Sequence, residues 1–341
     1  AALENTLAKP LLDLKKPFSL PVYVSVPEIK GTQIHIEQKT QATAGVQATS
    51  LIHIPLVQLS GIADSRQIQL TQLKLESDKL RLEGNGNLAL TQDYPLAWQL
   101  NATTPDLPEL KLPASRVDLT LSGQLANQTL LELKTQGAIN AHLQGDVALT
   151  QAKTPLQLKL TAEPFAVPLI ETKGKPLTID ALQLNLSGNL LDYRLNLLAK
   201  AQGMNLPESE LNVEGNGGLT QFELARLQLA ALNGSAELSG NLNWRKGIQW
   251  QSALTLNHIN TQSLLPDWAA QLSGKLNSSG AVAQSENGAD WSVNLSEIDI
   301  AGSLQRKTLQ LKGQLSSSHQ QLLTVPKLLL IYGENQITLQ G

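Results

Sequence analysis

The side chains with chemical potential in this sequence are five histidines, a scatter of serines and two glycine-rich runs. A metal site needs ligands whose spacing lets them converge, such as two histidines one helical turn apart. His35, His53, His142, His258 and His319 lie in different segments, and no carboxylate cluster accompanies any of them. His35 and His53 each sit between isoleucines and read as polar-face residues. His258 follows Leu254 and Leu256 at the same parity, which places it on an apolar face near a strand end. Neither a general base nor a metal ligand is expected among them.

The runs GNGN at 84–87 and GNGG at 215–218 superficially suggest phosphate cradles. Such a loop needs a strand before it and a helix after it, whereas LALT and LTQFEL follow here. Hairpin turns or bulges are the expected reading. GxSxG is absent and no serine has a suitable local base, so hydrolase chemistry has no support. There is no cysteine, which removes disulfides, thiolate metal sites and thiol nucleophiles together. Trp98, Trp244, Trp250 and Trp291 fall in apolar register, as expected for core or groove-rim packing, with carbohydrate stacking as the sharper alternative. Neither an enzyme nor a cofactor is expected.

The elements that carry these residues are written in leucine. Of 341 residues 68 are Leu, most of them separated by Gln, Asn, Thr, Ser and Lys. Leu119, Leu121, Gly123 and Leu125 occupy every second position, as do Leu156, Leu158 and Leu160, then Leu182 to Leu190, and then Leu309 to Leu315. A strict period of two cannot make one helical face, so these are strands with one apolar and one polar side. Aromatic residues at 4% and charged residues at 16% offer neither a dense aromatic core nor a strongly charged surface. A net charge of −3 excludes a nucleic-acid binder that relies on a basic footprint. With mean hydropathy of −0.12 and no apolar run near 18 residues, no membrane span is expected. The opening AALENTLAKP is no targeting segment and the close ITLQG reads as mid-strand, so a fragment of a longer chain is expected.

An apolar-x-Gly motif recurs at Gly84, Gly123, Gly145, Gly188, Gly215, Gly240, Gly274, Gly313 and Gly341. Eight intervals span the 257 residues from 84 to 341, a mean spacing of about 32, within the range of repeat architectures. At two strands per marked glycine the chain should hold roughly 18 strands. A longer unit also repeats. Hairpins that start at Gly84, Gly145 and Gly240 each lead to a Pro/Leu-rich break, PDLPEL, EPFAVPLI or TQSLLPDW, and then to an LSGxL strand. Each break is expected to be a loop or one short helical turn, with Thr261 as a cap, and the first sixteen residues offer another short helix. No composition shift marks a boundary, so 1–341 reads as one repeat-built segment. The glycines share the leucine face, where a missing side chain lets the backbone bend or approach another closely. An ordinary β-sandwich with glycine at its bulges fits the periodicity equally well.

Three late stretches, INTQSLLPDWAAQLSGKLNSSGAV, DWSVNLSEIDIAGSLQRKTLQLKGQL and VPKLLLIYGENQITLQG, together with FSLPVYVSVPEIKGTQIHI, carry a family resemblance. The chain resembles the TamB family of the AsmA-like superfamily of bridge-like lipid-transfer proteins over essentially its whole length. The resemblance implies an all-β fold, an elongated, U-folded antiparallel sheet (a β-taco) with a hydrophobic groove and a few short helices. It also implies a periplasmic protein anchored in the inner membrane by a segment outside this stretch, which moves phospholipid between the two membranes. The implied alternative is a scaffold for autotransporter assembly with an outer-membrane barrel partner, TamA, docked through a missing C-terminal region.

On that resemblance phospholipid acyl chains are the ligand and the inward parity lines the groove. The lining residues are Leu82, Leu88, Leu90, Trp98 and Leu100 in the first hairpin, then Leu119, Leu121 and Leu125. Leu143, Leu158 and Leu160 follow, then Leu182, Leu184, Leu186 and Leu190. The third hairpin supplies Leu238, Leu242, Trp250, Leu254 and Leu256, and the last strands supply Leu272, Leu276, Leu309, Leu311 and Leu315.

Overall fold

The computed structural model describes residues 8–14, 20–41, 47–106, 108, 113–167, 176–285 and 288–341. The chain forms two compact units, Ala1–Glu163 and Pro164–Gly341. The first contains β1 (Val24–Gln41), β2 (Gln47–Ala63), β3 (Gln67–Glu76), β4 (Arg81–Ala89) and β5 (Pro95–Thr104), followed by β6 (Ser115–Gln124), β7 (Gln128–Gln136), β8 (Ala141–Val147) and β9 (Pro155–Ala162). Each strand pairs antiparallel with the next.

The second unit repeats the plan. It contains β10 (Phe165–Ala166), β11 (Thr178–Asn189), β12 (Asp192–Gly203), β13 (Leu206–Gly217), β14 (Gln221–Ala231) and β15 (Gly234–Asn243). It continues through β16 (Ile248–Asn260), β17 (Ala270–Ser285), β18 (Gly288–Leu304), β19 (Lys307–Ser318), β20 (Thr324–Tyr332) and β21 (Asn335–Leu339). These too form an antiparallel meander, with β21 paired to β20 alone among the described residues. The described residues form 21 strands, three more than the roughly 18 that two strands per marked glycine lead one to expect; β1, β2 and β3 precede the first marked glycine.

A sandwich would close a second layer over the apolar face and bury it. That alternative fails. Among the described residues the buried apolar side chains are Tyr94, Leu96, Ala148, Leu156, Ala231, Ala270, Ile298 and Val325, and the leucines between them are only half-buried. In each unit the sheet is open, with its inner face uncovered by a second layer.

Few helices form. There is no α-helix among the described residues, and residues 8–14 make a turn and bend rather than the expected helix, the rest of that segment lying outside the described residues. TQSLLPDW folds into two 3-10 turns, Thr261–Ser263 and Pro266–Trp268. Asn260, not Thr261, is the cap: its Oδ1 accepts from the Gln262 N–H at 3.0 Å, while Thr261 Oγ1 accepts from Ala270 N–H and donates to Trp268 O. Within EPFAVPLI the described residues contain a strand instead of a helical turn, Phe165 pairing with Ile179. Half of PDLPEL, residues 107, 109 and 110, lies outside the described residues.

The glycines divide by what opposes them. Gly84 and Gly86 stand mid-strand in β4, not in a turn, and a Cβ at either would meet Leu100 or the Trp98 ring across the strand pair. Gly215 and Gly217 of GNGG likewise lie under Phe222 and Tyr193, and Gly280 under Trp250. Removing the inward side chain gives headroom to a large neighbour, which restores apolar cover to a bare backbone. Gly123 is different, with φ at +104°, a conformation that other residues rarely adopt.

Bending comes from bulges. On β14, Leu224 and Leu227 face Gly240 and Leu238, so Ala225 and Arg226 together oppose one residue of β15. On β18, Leu295 and Ile298 face Leu315 and Gly313 in the same way. Both bulges fall between the same two rows of inward side chains, and each bends its strand and tightens its twist. We expect Gly86→Ala to destabilise the chain by about 1–3 kcal/mol, since the added methyl must displace the Trp98 ring. In a Trp98→Ala background the same change should cost little, which a double-mutant cycle of urea unfolding measures.

Candidate functional site

Antiparallel pairing with a period of two stacks the inward residues into rows that cross every strand. In the first unit one row runs Leu59, Leu73, Gly84, Leu100, Leu119, Leu133, Leu143 and Leu160. The next runs Leu70, Gly86, Trp98, Leu121, Leu131, Gly145 and Leu158. In the second unit a row crosses β11 to β21 through Leu184, Leu197, Val213, Leu227, Leu238, Leu254, Leu276, Ile298, Gly313, Leu328 and Leu339. A parallel row holds Leu182, Leu211, Leu229, Leu256, Ile300, Leu311 and Leu330 with small residues between. A third begins at Leu186 and passes Leu195, Gly215, Leu224, Gly240 and two serines to Leu295 and Leu315. None of these rows contains a charged residue.

The other lining residues named from sequence fall as follows. Leu82 pairs with Leu75 and Ala102, Leu88 with Ile68 and Leu96, and Leu272 with Ile259 and Gly302. Leu309 opposes Gly302 and Tyr332. Leu242 and Trp250 pair near one rim, where Leu242 is 38% exposed. Leu90, Leu125 and Leu190 lie just beyond strand ends, in connections. Sequence reasoning missed Leu70, Leu73, Leu224, Leu227, Leu295 and Ile298, because each pair is separated by three residues, not two. That odd step is the signal of a bulge, which returns the second residue to the inward side.

His258 is corrected by the same device. Leu256 faces Gly274 and Ile259 faces Leu272, so Asn257 and His258 are the bulged residues of β16. His258 has φ of +53°, is exposed, and donates its backbone N–H to Ser273 Oγ at 2.9 Å. His35 and His53, distant in sequence, meet across β1 and β2 with ring centroids 4.7 Å apart. His53 also contacts Gln33 Oε1 at 2.9 Å and Asp78 at 3.5 Å. Among the described residues no group of three or more His, Cys, Asp or Glu is placed to hold a metal ion.

The ion pairs that follow stand at the outward parity, while Lys307 at the head of β19 faces Leu304 and lies over the Tyr332 ring, 5.3 Å from its centroid. Asp118 receives Arg116 Nε at 2.9 Å on both carboxylate oxygens and also Asn101, and the Arg116 hydrogen bond holds its pKa below the ordinary value. Glu132 is lowered first by Lys134 at 2.7 Å and then by His142 at 2.9 Å. Glu210 is lowered first by Asn212 and then by Lys200. Trp250 Nε1 donates to Ser278 Oγ at 3.1 Å, so its polar atom is satisfied while the ring covers Gly280.

An open, meandering sheet with an uncharged apolar face and a charged outer face defines a class of protein built around a trough. The chain belongs to the TamB family: the family model described as TamB, N-terminal domain, matches residues 1–341. It is 35% identical over 353 residues to the translocation and assembly module subunit TamB of Haemophilus influenzae, a match that covers 100% of this chain and 26% of that protein. It is 19% identical over 340 residues to an uncharacterised protein of Buchnera aphidicola, covering 99% of this chain and 33% of that one. The chain thus spans about a third or less of the length of these relatives. No solved structure matches it.

Because the folded pKa of Asp118 lies below its ordinary value of 3.8, its contribution is present above that value and is lost as pH falls through the folded pKa. Asp118→Asn should therefore lower the urea midpoint slightly at neutral pH and make the acid-side decline shallower. Midpoints measured across a pH series check this.

Proposed function

We propose that the apolar faces of this chain carry phospholipid acyl chains, within a periplasmic protein that moves phospholipid between the inner and outer membranes. The observation that carries this reading is the set of uncharged rows that continues, half-exposed, across the strands of each unit. An acyl chain of about 16 carbons loses about 13 kcal/mol on full exposure to water, at about 0.8 kcal/mol per CH₂. A trough that stays apolar keeps that surface covered, so no single step has to meet the whole penalty. Leucine suits the task, being bulky and without a polar atom to orphan. Anchoring in the inner membrane would come from a segment outside this chain. The envelope setting follows from the family, and the translocation and assembly module named for the Haemophilus relative makes TamA the barrel partner on this reading. A second reading, a scaffold for outer-membrane protein assembly, is favoured by that same printed name.

Parity separates the two. One unpaired charge in the trough costs several kcal/mol to desolvate and draws in water, acting as a plug. Leu121→Arg, Leu184→Arg or Leu311→Asp should abolish lipid transport by the full-length protein while leaving its abundance near normal. The neighbours Asn185→Arg and Gln310→Asp, on the outward parity, should be tolerated. A photocrosslinking residue at Leu184 should capture lipid and one at Asn185 should not. Equal capture at both parities would favour the scaffold.

A further inference from the structure

Three inward rows cross the second unit, and their polar side-chain atoms gather at one place. The rows through Leu184 and Leu182 hold aliphatic residues and glycine throughout. The row that begins at Leu186 carries Ser252 and Ser278 at inward positions that leucine fills on most other strands. The two serines are direct partners across β16 and β17. Ser252 also opposes Gly240, and Ser278 opposes Leu295. Ser278 has a structural task, since its Oγ accepts the Trp250 indole N–H at 3.1 Å, and its own O–H is left to donate. Ser252 has no such task. It is half-buried on the same face and makes no side-chain hydrogen bond among the described residues.

The rows on either side of the serines differ. Toward the β15–β16 connection the next row runs Tyr193, Gly217, Phe222, Leu242, Trp250 and Gly280. Tyr193 and Trp250 are amphipathic and Leu242 is 38% exposed, so this row stands where the apolar face meets water. On the other side lie Leu254 and Leu276, and then Leu256. Polarity thus falls along these strands from an aromatic margin, through a pair of hydroxyls, to hydrocarbon alone. A diacyl lipid has the same order of headgroup, ester carbonyls and acyl chain. The hydroxyls are neutral donors on a face whose rows hold no charge, so a phosphate or carboxylate placed there would give up its hydration for too little. An ester carbonyl asks for one neutral donor. Directly opposed side chains have Cβ atoms about 5 Å apart, a separation that two esters on adjacent glycerol carbons can span.

We propose that Ser252 and Ser278 form a station for the ester carbonyls of a diacyl lipid, whose chains lie over Leu254 and Leu276 and whose glycerol faces Trp250. The inference rests on the acyl-chain reading above. It adds the chemical group by which a lipid is held at one place on an otherwise uniform face, and with it a preference for ester-linked over ether-linked chains.

The test uses the full-length protein with a photocrosslinking residue at Leu254 or, separately, at Leu184, incubated with vesicles of diester or of diether phosphatidylcholine of equal chain length. Adducts are expected at both positions, and at Leu254 the diester lipid should be captured in excess of the diether. Ser252→Ala should lower the diester adduct at Leu254 by roughly three- to tenfold, the worth of one neutral hydrogen bond. It should leave the diether adduct at Leu254 and both adducts at Leu184 unchanged. Ser252→Thr, which keeps the hydroxyl, should retain the diester excess. Equal capture of the two lipids at Leu254, or an equal fall for both in Ser252→Ala, would overturn the station and leave the trough standing. Loss of the excess in Ser252→Thr would overturn the hydroxyl as the group responsible. Capture at neither position would overturn the trough and the station together.

Discussion

Everything in this chain depends on parity held across hydrogen-bonded neighbours. In an antiparallel ladder each residue has a fixed partner, and a slip of one position turns every leucine of a strand to the polar side. The meander places each new strand against the last, so the register set at one hairpin is transmitted to the next. Where the spacing of apolar residues jumps from two to three, as between Leu224 and Leu227 or Leu295 and Ile298, a bulge absorbs the extra residue and the face is preserved. The rows are uninterrupted because those local irregularities are placed to keep them so.

A sheet that leaves its apolar face uncovered must find stability without a sealed core. Neighbouring inward side chains cover one another sideways, at roughly 0.2–1 kcal/mol for each favourable cross-strand pair. The glycines take part in this economy despite the 0.5–1 kcal/mol or so that each costs in a strand. Trp98 over Gly86, Tyr193 over Gly217 and Trp250 over Gly280 lie low against the backbone, so a large ring adds cover without blocking the trough. Stability and an open face are reconciled by spending side-chain bulk along the sheet and not above it.

The outer face does the complementary work. Arg116 on Asp118, Lys134 on Glu132, Arg226 on Glu237 and Lys312 on Asp299 form exposed, cross-linked charge on the outward parity. Exposed pairs of this kind add little stability. Their effect is to make the two faces of the sheet chemically opposite.

Alternation in the sequence determined the all-β class and the inward parity of residues such as Leu121 and Leu184, because a period of two is a local property of the chain; the glycine count fell three short of the 21 strands among the described residues. The family resemblance was likewise legible in contiguous stretches such as INTQSLLPDW. Only the tertiary structure decided what each glycine opposes, where the bulges fall, that His258 leaves the apolar register, and that His35 meets His53. It also made Phe165–Ala166 a strand where a Pro/Leu-rich break suggested a turn, and it left the leucine face uncovered where a sandwich was an equal expectation. The physical reason is common to all of these. Each depends on which partner strand lies alongside and at what offset, and that pairing is settled by contacts between segments and not by the residues of either strand alone.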